Sequence, residues 1–377
     1  MKGSVKKNLN TKKWDLVFDA GNDPLSGKRR QIKRRGFLTR QEALDAMTLL
    51  KSEFLQDEFT DLSNLSLELF MEEWFIERKI HLQASTYETH HIYFRTVIKP
   101  RLGHFKLQKI SPMIVQNFIN ELVQGDHYSE YTIHLIFRIL SSAMKKATAI
   151  KLIRDNPTIG ITLPKINRKE INVWSGEEIN HFIAASKQTK RLTRCFPGFL
   201  IGFFCGCREG EILGLRFKDI DFDNRVLYIR QTLTQKAEIK SGAKNRSSIR
   251  SISIPENLIP ELIKHREMIM GEKLSLGDKY QDHDLVICTQ NGKPIIPRNF
   301  RKEFYNLTEK VGLPKTKFHS ATRHSHATLL IQQNVNVKLI SERLGHAKIG
   351  TTLDIYSHVS SNMQKSVAVE IDKVLNL

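Results

Sequence analysis

A chain of 377 residues exceeds one typical folding unit, and its 40% hydrophobic and 26% charged residues are ordinary for a globular protein, which excludes global disorder. No run approaches the roughly 18 apolar residues of a membrane span, no secretory apolar segment opens the chain, and four cysteines (Cys195, Cys205, Cys207, Cys288) without a CxxC pair exclude a disulfide scaffold, so a cytoplasmic setting is expected. The 59 Lys and Arg outweigh 40 Asp and Glu, and the net charge of +19 draws polyanions, nucleic acid first among them.

Residues 1–60 carry a basic start (Lys6, Lys7, Lys12, Lys13) around the alternating run Trp14, Leu16, Phe18, which predicts a half-buried strand. A second strand is predicted over the basic segment Lys28–Arg35, and Thr39 caps a helix bearing Ala43, Leu44, Met47, Leu50 and Phe54. Strands plus one helix with this charge suggest a small DNA-binding module; a merely solvated basic hairpin is the alternative. From 61 to 165 the periodicity is helical. Ser66 precedes Leu67, Phe70 and Trp74; Ser111-Pro112 opens Ile114, Val115, Phe118, Ile119 and Leu122; a third helix is predicted over Thr132–Ile150, with Lys145 and Lys146 favouring its C-terminal dipole. Asn156-Pro157 and Pro164 among Lys165, Arg168 and Lys169 read as a basic linker, which places a boundary near 165. Beyond it helices mix with short strands around Val226–Leu233 and Ile249–Ile254.

Three blocks carry chemistry. The first, Phe199 to Leu215, sets Arg208 inside a very apolar stretch, where the charge needs a partner: a phosphate, for which the guanidinium fork is suited, or Glu209 or Glu211. The second runs from Phe318 through His319, Arg323 and His326 to Leu330, and the third, Leu344-Gly345-His346, is followed by Thr351-Thr352 and Tyr356. His319, His324 and His326 also raise the possibility of a metal, but no carboxylate or thiol completes a set. Neither a GxxxxGK[ST] loop nor an acidic two-metal cluster is present, so no nucleotide or divalent-metal cofactor is expected.

These blocks, in this order, resemble those of the tyrosine recombinases, the integrases of phages and other mobile genetic elements. Gly206-x-Arg208-x-Gly210-Glu211 is similar to the family's first arginine box, Phe318–Leu330 to its histidine-to-arginine helix, and Leu344–Tyr356 to its nucleophile box. The resemblance implies Tyr356 as nucleophile, Arg208, Arg323, His319 and His346 on the scissile phosphate, and Lys244 on a hairpin as general acid, with Lys240 and Arg246 the alternatives. Arg323 lies four residues after His319 where the family has three; an extra residue before the helix is the expected reason, and both spacings share a helix face. Cleavage would leave a 3′-phosphotyrosyl bond, and strand exchange through a Holliday junction implies a homotetramer on double-stranded DNA attachment sites, assisted by an excisionase and a host DNA-bending protein. Val367, Ile371, Val374 and Leu375 form an apolar stripe expected to pack on a neighbouring subunit.

The expected fold is multidomain and mainly α with small β elements: an N-terminal three-stranded sheet plus helix (1–60) for arm-type DNA, a helical SAM-like core-binding domain (61–165) and a mixed α+β catalytic domain (166–377). A chromosome-dimer resolvase or type IB topoisomerase shares the chemistry. A non-enzymatic DNA-binding regulator leaves Arg208, Arg323 and Tyr356 unexplained.

Overall fold

The computed structural model describes residues 3–7, 11–22, 29–56, 65–166, 171–188, 194–241 and 250–356. It divides into two compact units, Met1–Arg168 and Lys169–Leu377.

In the first unit, strands β1 (Gly3–Lys7), β2 (Trp14–Asn22) and β3 (Arg29–Phe37) form an antiparallel sheet in the order β1-β2-β3. Period-two alternation sends Leu16 and Phe18 to one face, where Ala46, Met47 and Leu50 of α1 (Arg40–Gln56) cover them, while Lys33, Arg34 and Arg35 stay exposed. Between Trp14 and Leu16 the β2–β3 register slips, and the Asp15 carboxylate accepts the Gly36 N–H at 3.1 Å beside this bulge. The Thr39 hydroxyl accepts from Glu42 N while the Glu42 carboxylate accepts from Leu38 N, a reciprocal cap that starts α1 where the sequence places it.

The helical part packs α2 (Leu67–His81), α3 (Ala84–Tyr93), α5 (Pro112–Gln124) and α6 (Glu130–Ala149) around Phe70, Trp74, Phe94, Val115, Phe118, Ile136 and Leu140. A π-helical turn (Phe94–Ile98) leads from α3 into the short α4 (Lys99–Leu102). Ser66 and Ser111 cap α2 and α5 as expected; α6 starts earlier than Thr132, because the Ser129 hydroxyl accepts from Thr132 N and caps it there. The proline-bearing stretch after α6 is not a free linker. Gln116 exchanges hydrogen bonds with the Thr162 backbone, Ser141 bonds Thr158, and His134 bonds the Pro164 carbonyl, so this stretch is fastened to the bundle up to residue 164.

The second unit is built on α8 (Phe196–Cys205), whose residues are apolar on every side and almost all buried. Around it lie α7 (Gly176–Lys187), α9 (Glu209–Gly214), α10 (Ile259–Leu276), α11 (Pro297–Lys310), α12 (Ser325–Gln332), α13 (Val337–Leu344) and α14 (Ile349–Tyr356). Two small antiparallel sheets join them, β4 (Ile220–Asp221), β5 (Val226–Ile229) and β8 (Arg250–Ser253) in the order β4-β5-β8, and β6 (Gln231–Leu233) with β7 (Ile239–Ser241). Its core is aromatic: Phe199, Phe300, Phe304 and Phe318 interlock at ring-centroid distances of 4.9 to 6.0 Å, with Trp174 stacked on Phe304 at 5.6 Å. This rigid floor carries both arginine-bearing elements. Among the described residues no helix is long and apolar enough to cross a membrane.

Candidate active site

Arg208 is placed by a turn that only glycine accommodates well. Gly206 ends α8 in the left-handed region (φ 63°), and a Cβ there would lie 2.7 Å from His326, so the chain reverses tightly and delivers Arg208 to the N-cap of α9. Its Nη1 donates to Glu211 Oε1 at 2.8 Å, its backbone N–H to Glu211 Oε2 at 2.8 Å, and its Nη2 to the Gly345 carbonyl at 3.1 Å. Five N–H donors make up a guanidinium and these side-chain contacts use two, so pairing with Glu211 leaves Arg208 able to take an anion as well. Its side chain is 37% exposed. Glu209, the other possible partner, is bound to Arg301 instead.

Arg323, 1% exposed, sits on the same cluster from below: Nη1 donates to the Gly206 carbonyl at 2.8 Å and Nη2 to the Leu344 carbonyl at 2.6 Å. Burial and the neighbouring Arg208 pull it down to about 9, which still leaves it charged at neutral pH. The four-residue spacing from His319 has its answer inside the helix rather than before it. Ser320–His324 form a π-helical turn, with the Ser325 N–H reaching back to the Ser320 carbonyl, and such a turn accommodates one additional residue without ending the helix. His319 leans edge-on against His324 at 4.7 Å between ring centroids.

His346 follows the left-handed Gly345 that ends α13 (φ 65°), and its Nδ1 bonds the hydroxyl of buried Thr352 at 2.8 Å, which ties it to α14. Tyr356 is the last residue of that helix; its side chain, like Lys244 and the C-terminal stripe from Val367 to Leu375, lies outside the described residues.

His326 turns away from the cluster. Arg343 Nε donates to its Nε2 at 3.1 Å, so the proton is on Nδ1 and is donated to the Phe203 carbonyl at 2.8 Å, a neutral imidazole that braces α8 against α13. Committed this way, it is a structural histidine. Burial, the largest cause in each case, and nearby arginines hold His319, His324, His326 and His346 down at about 4. Unfolded, each takes a proton near 6.5. The folded chain therefore binds fewer protons than the unfolded one between about 6.5 and 4, and stability that is complete above that window is lost as pH falls through it. A melting temperature that drops by several degrees between pH 7 and pH 5 is the expected result in calorimetry; a flat profile there would contradict these buried neutral imidazoles.

Two members of the cluster go beyond the sequence reading, which offered Glu211 only as one of two partners for Arg208 and did not single out Arg250. Glu211, buried, is held down at about 2: burial alone would raise it, but hydrogen bonds and charge from Arg250, with Arg208 beside it, outweigh that. Arg250 donates from Nη1 and Nη2 to both Glu211 oxygens, at 3.0 and 2.8 Å, and from Nε to the Arg343 carbonyl at 2.7 Å. The alternation of β8, where Ile252 points inward as does Ile254 just past its end, puts Arg250 on the same buried face, a signal the sequence does contain. The arrangement thus gathers three guanidiniums around one carboxylate, two of them bonded to it and Arg323 on the neighbouring carbonyls, an excess of positive charge suited to an anion.

Comparison with known proteins agrees with this chemistry. Residues 172–363 match the model of the Phage integrase family, residues 66–123 the N-terminal SAM-like domain of phage integrases, and residues 4–54 an arm DNA-binding domain. The chain belongs to the phage integrase family. This tyrosine recombinase is 31% identical to a XerC-like tyrosine recombinase of Caldanaerobacter subterraneus subsp. tengcongensis over 82% of its own length and 83% of the relative's. It is 27% identical to the ICEBs1 integrase of Bacillus subtilis over 99% of its own length and all of the relative's. Its fold is shared with the Tn1549 transposon integrase in complex with a circular intermediate DNA, with a TM-score of 0.67 at 19% identity, over 80% of this chain and 99% of that one. The N-terminal sheet-plus-helix module, the helical domain and the mixed catalytic domain are therefore those of a site-specific tyrosine recombinase, an enzyme that cuts and rejoins DNA.

Proposed function

We propose that this recombinase integrates and excises a mobile genetic element, a phage or an integrative element, through a 3′-phosphotyrosyl intermediate formed by Tyr356. The observation that carries the reading is the grip of Arg208 and Arg323 on the Leu344–Gly345 backbone, which sets both arginines beside the segment leading into the helix that ends at Tyr356. In this reading Arg208 and Arg323 bind the non-bridging phosphate oxygens, where charge concentrates during attack. His346, its Nδ1 committed to Thr352, offers Nε2 to the same phosphate, and neutral His319 can accept the phenolic proton. Tyrosine Oη then bonds phosphorus, the P–O5′ bond breaks, and Lys244 protonates the departing 5′ oxygen. A 5′ hydroxyl from a second strand reverses the step without ATP, because the phosphotyrosyl bond conserves the energy of the phosphodiester.

Two such exchanges through a four-way junction require four protomers on two duplexes, with the segment after Tyr356 packing on a neighbour. The division of labour follows the proposed domain bounds: 1–60 on arm-type sites, 61–165 on the core site, 166–377 for catalysis, acting in the cytoplasm with an excisionase and a host DNA-bending protein. The XerC-like relative supports a second reading, a resolvase of chromosome dimers, but the arm DNA-binding match at residues 4–54 favours the integrase. A nicked suicide substrate carrying the attachment core tests the proposal. Wild-type protein is expected to form a denaturation-resistant adduct on the 3′ phosphate, undiminished by a magnesium chelator; binding without any adduct would leave only a DNA-binding protein.

A further inference from the structure

Arg250 has a place in the cluster that the reaction chemistry above does not use. Its Nε, Nη1 and Nη2 all donate to protein oxygens, and through them it joins three parts of the site. Its fork of two nitrogens takes the Glu211 carboxylate, whose Oε1 also receives Arg208, and its Nε takes the Arg343 carbonyl at the end of α13. Three consecutive carbonyls, those of Arg343, Leu344 and Gly345, are thereby each held by a different arginine: Arg250, Arg323 and Arg208. The last carbonyls of a helix lack intrahelical partners and carry the negative end of its dipole, so cations belong there. Gly345 fits closely over Arg250: a Cβ on it would lie 2.9 Å from Nη1 and 3.1 Å from Cδ.

We propose that Arg250 is a positioning residue of strand cleavage, which fixes the Arg343–Gly345 turn, and with it the approach to the nucleophile helix, against the phosphate-binding Arg208 through their shared Glu211. This rests on the recombinase mechanism proposed above. Without Arg250 the Glu211 carboxylate keeps only Arg208 of its two arginine partners, and the Arg343 carbonyl loses the guanidinium that ties it to that carboxylate. Ground-state binding of DNA should then survive while the attack geometry degrades, and a misplacement of about 1 Å costs on the order of 100-fold in rate.

The test uses full-length protein carrying Arg250→Lys, Arg250→Met or Gly345→Ala, with three readouts beside wild type: DNA affinity by mobility shift, melting temperature, and single-turnover adduct formation. Cleavage is measured on an ordinary phosphodiester and on a 5′-bridging phosphorothiolate, whose sulfur leaves without a proton donor. Arg250→Met is expected to keep wild-type affinity and to form adduct about 10 to 100 times more slowly on both substrates, Arg250→Lys to fall between, and Gly345→Ala to share the defect. Wild-type rates in Arg250→Met and Arg250→Lys would overturn the role. So would rescue by the phosphorothiolate, which would place the fault in leaving-group protonation, or loss of affinity and melting temperature in step with rate in both, which would make Arg250 only a structural residue. Failure of wild type itself to form an adduct would instead remove the mechanism on which the proposal stands.

Discussion

Tyr356→Phe removes a single oxygen and is expected to abolish the covalent protein–DNA adduct, a loss of at least about a thousandfold in cleavage, while DNA affinity remains that of wild type. The reason is that the arginines can stabilise charge on a phosphate but cannot supply an attacking atom. A phenol ring without its hydroxyl keeps the size and apolar character of the side chain, so a loss confined to chemistry separates nucleophile from scaffold. The measurement is a denaturing gel of the nicked substrate, with mobility shift of the same duplex as control. An adduct formed by Tyr356→Phe at the wild-type rate would show that another residue attacks.

Arg323 should show the second large effect, and in two currencies. Its two carbonyl partners, Gly206 and Leu344, lie on the turn that delivers Arg208 and on the helix end that leads to His346. Arg323→Ala leaves both carbonyls without this donor in a buried site, an expected loss of about 2 to 5 kcal/mol, and also removes the guanidinium proposed to bind the phosphate. Arg323→Lys keeps the positive charge but can reach only one of those carbonyls at a time, so it should retain more stability yet cleave roughly 100 to 1,000 times more slowly. Comparing melting temperature with single-turnover cleavage separates the two costs. Wild-type cleavage by the lysine variant would mean that charge alone suffices and that the planar fork has no part in the reaction.

Much of this protein was determined locally and could be read locally. Helix starts at Thr39, Ser66 and Ser111 follow from hydroxyls that satisfy the first free N–H groups, and the sheet and bundle faces follow from periods of 2 and 3.6. The three blocks around Arg208, Arg323 and Tyr356 pointed to phosphate chemistry through their resemblance, in this order, to the tyrosine recombinase boxes, since Arg208 alone could equally have been read as one half of an internal ion pair. Contacts that close over long stretches of chain were decided by the tertiary structure alone. Arg208 meets the Gly345 carbonyl across 137 residues and Arg323 meets the Gly206 carbonyl across 117. His326, alike in sequence to its neighbours, is turned to brace Phe203 and Arg343, while the π-helical turn at Ser320–His324 takes up the additional residue between His319 and Arg323. Arg250 pointed inward by strand alternation, but which carboxylate and which carbonyl it would find depended on where α9 and α13 came to rest. Local pattern sets which face of an element is buried; the identity of the group waiting there is settled only when distant elements pack, since every buried charge must then find its partner.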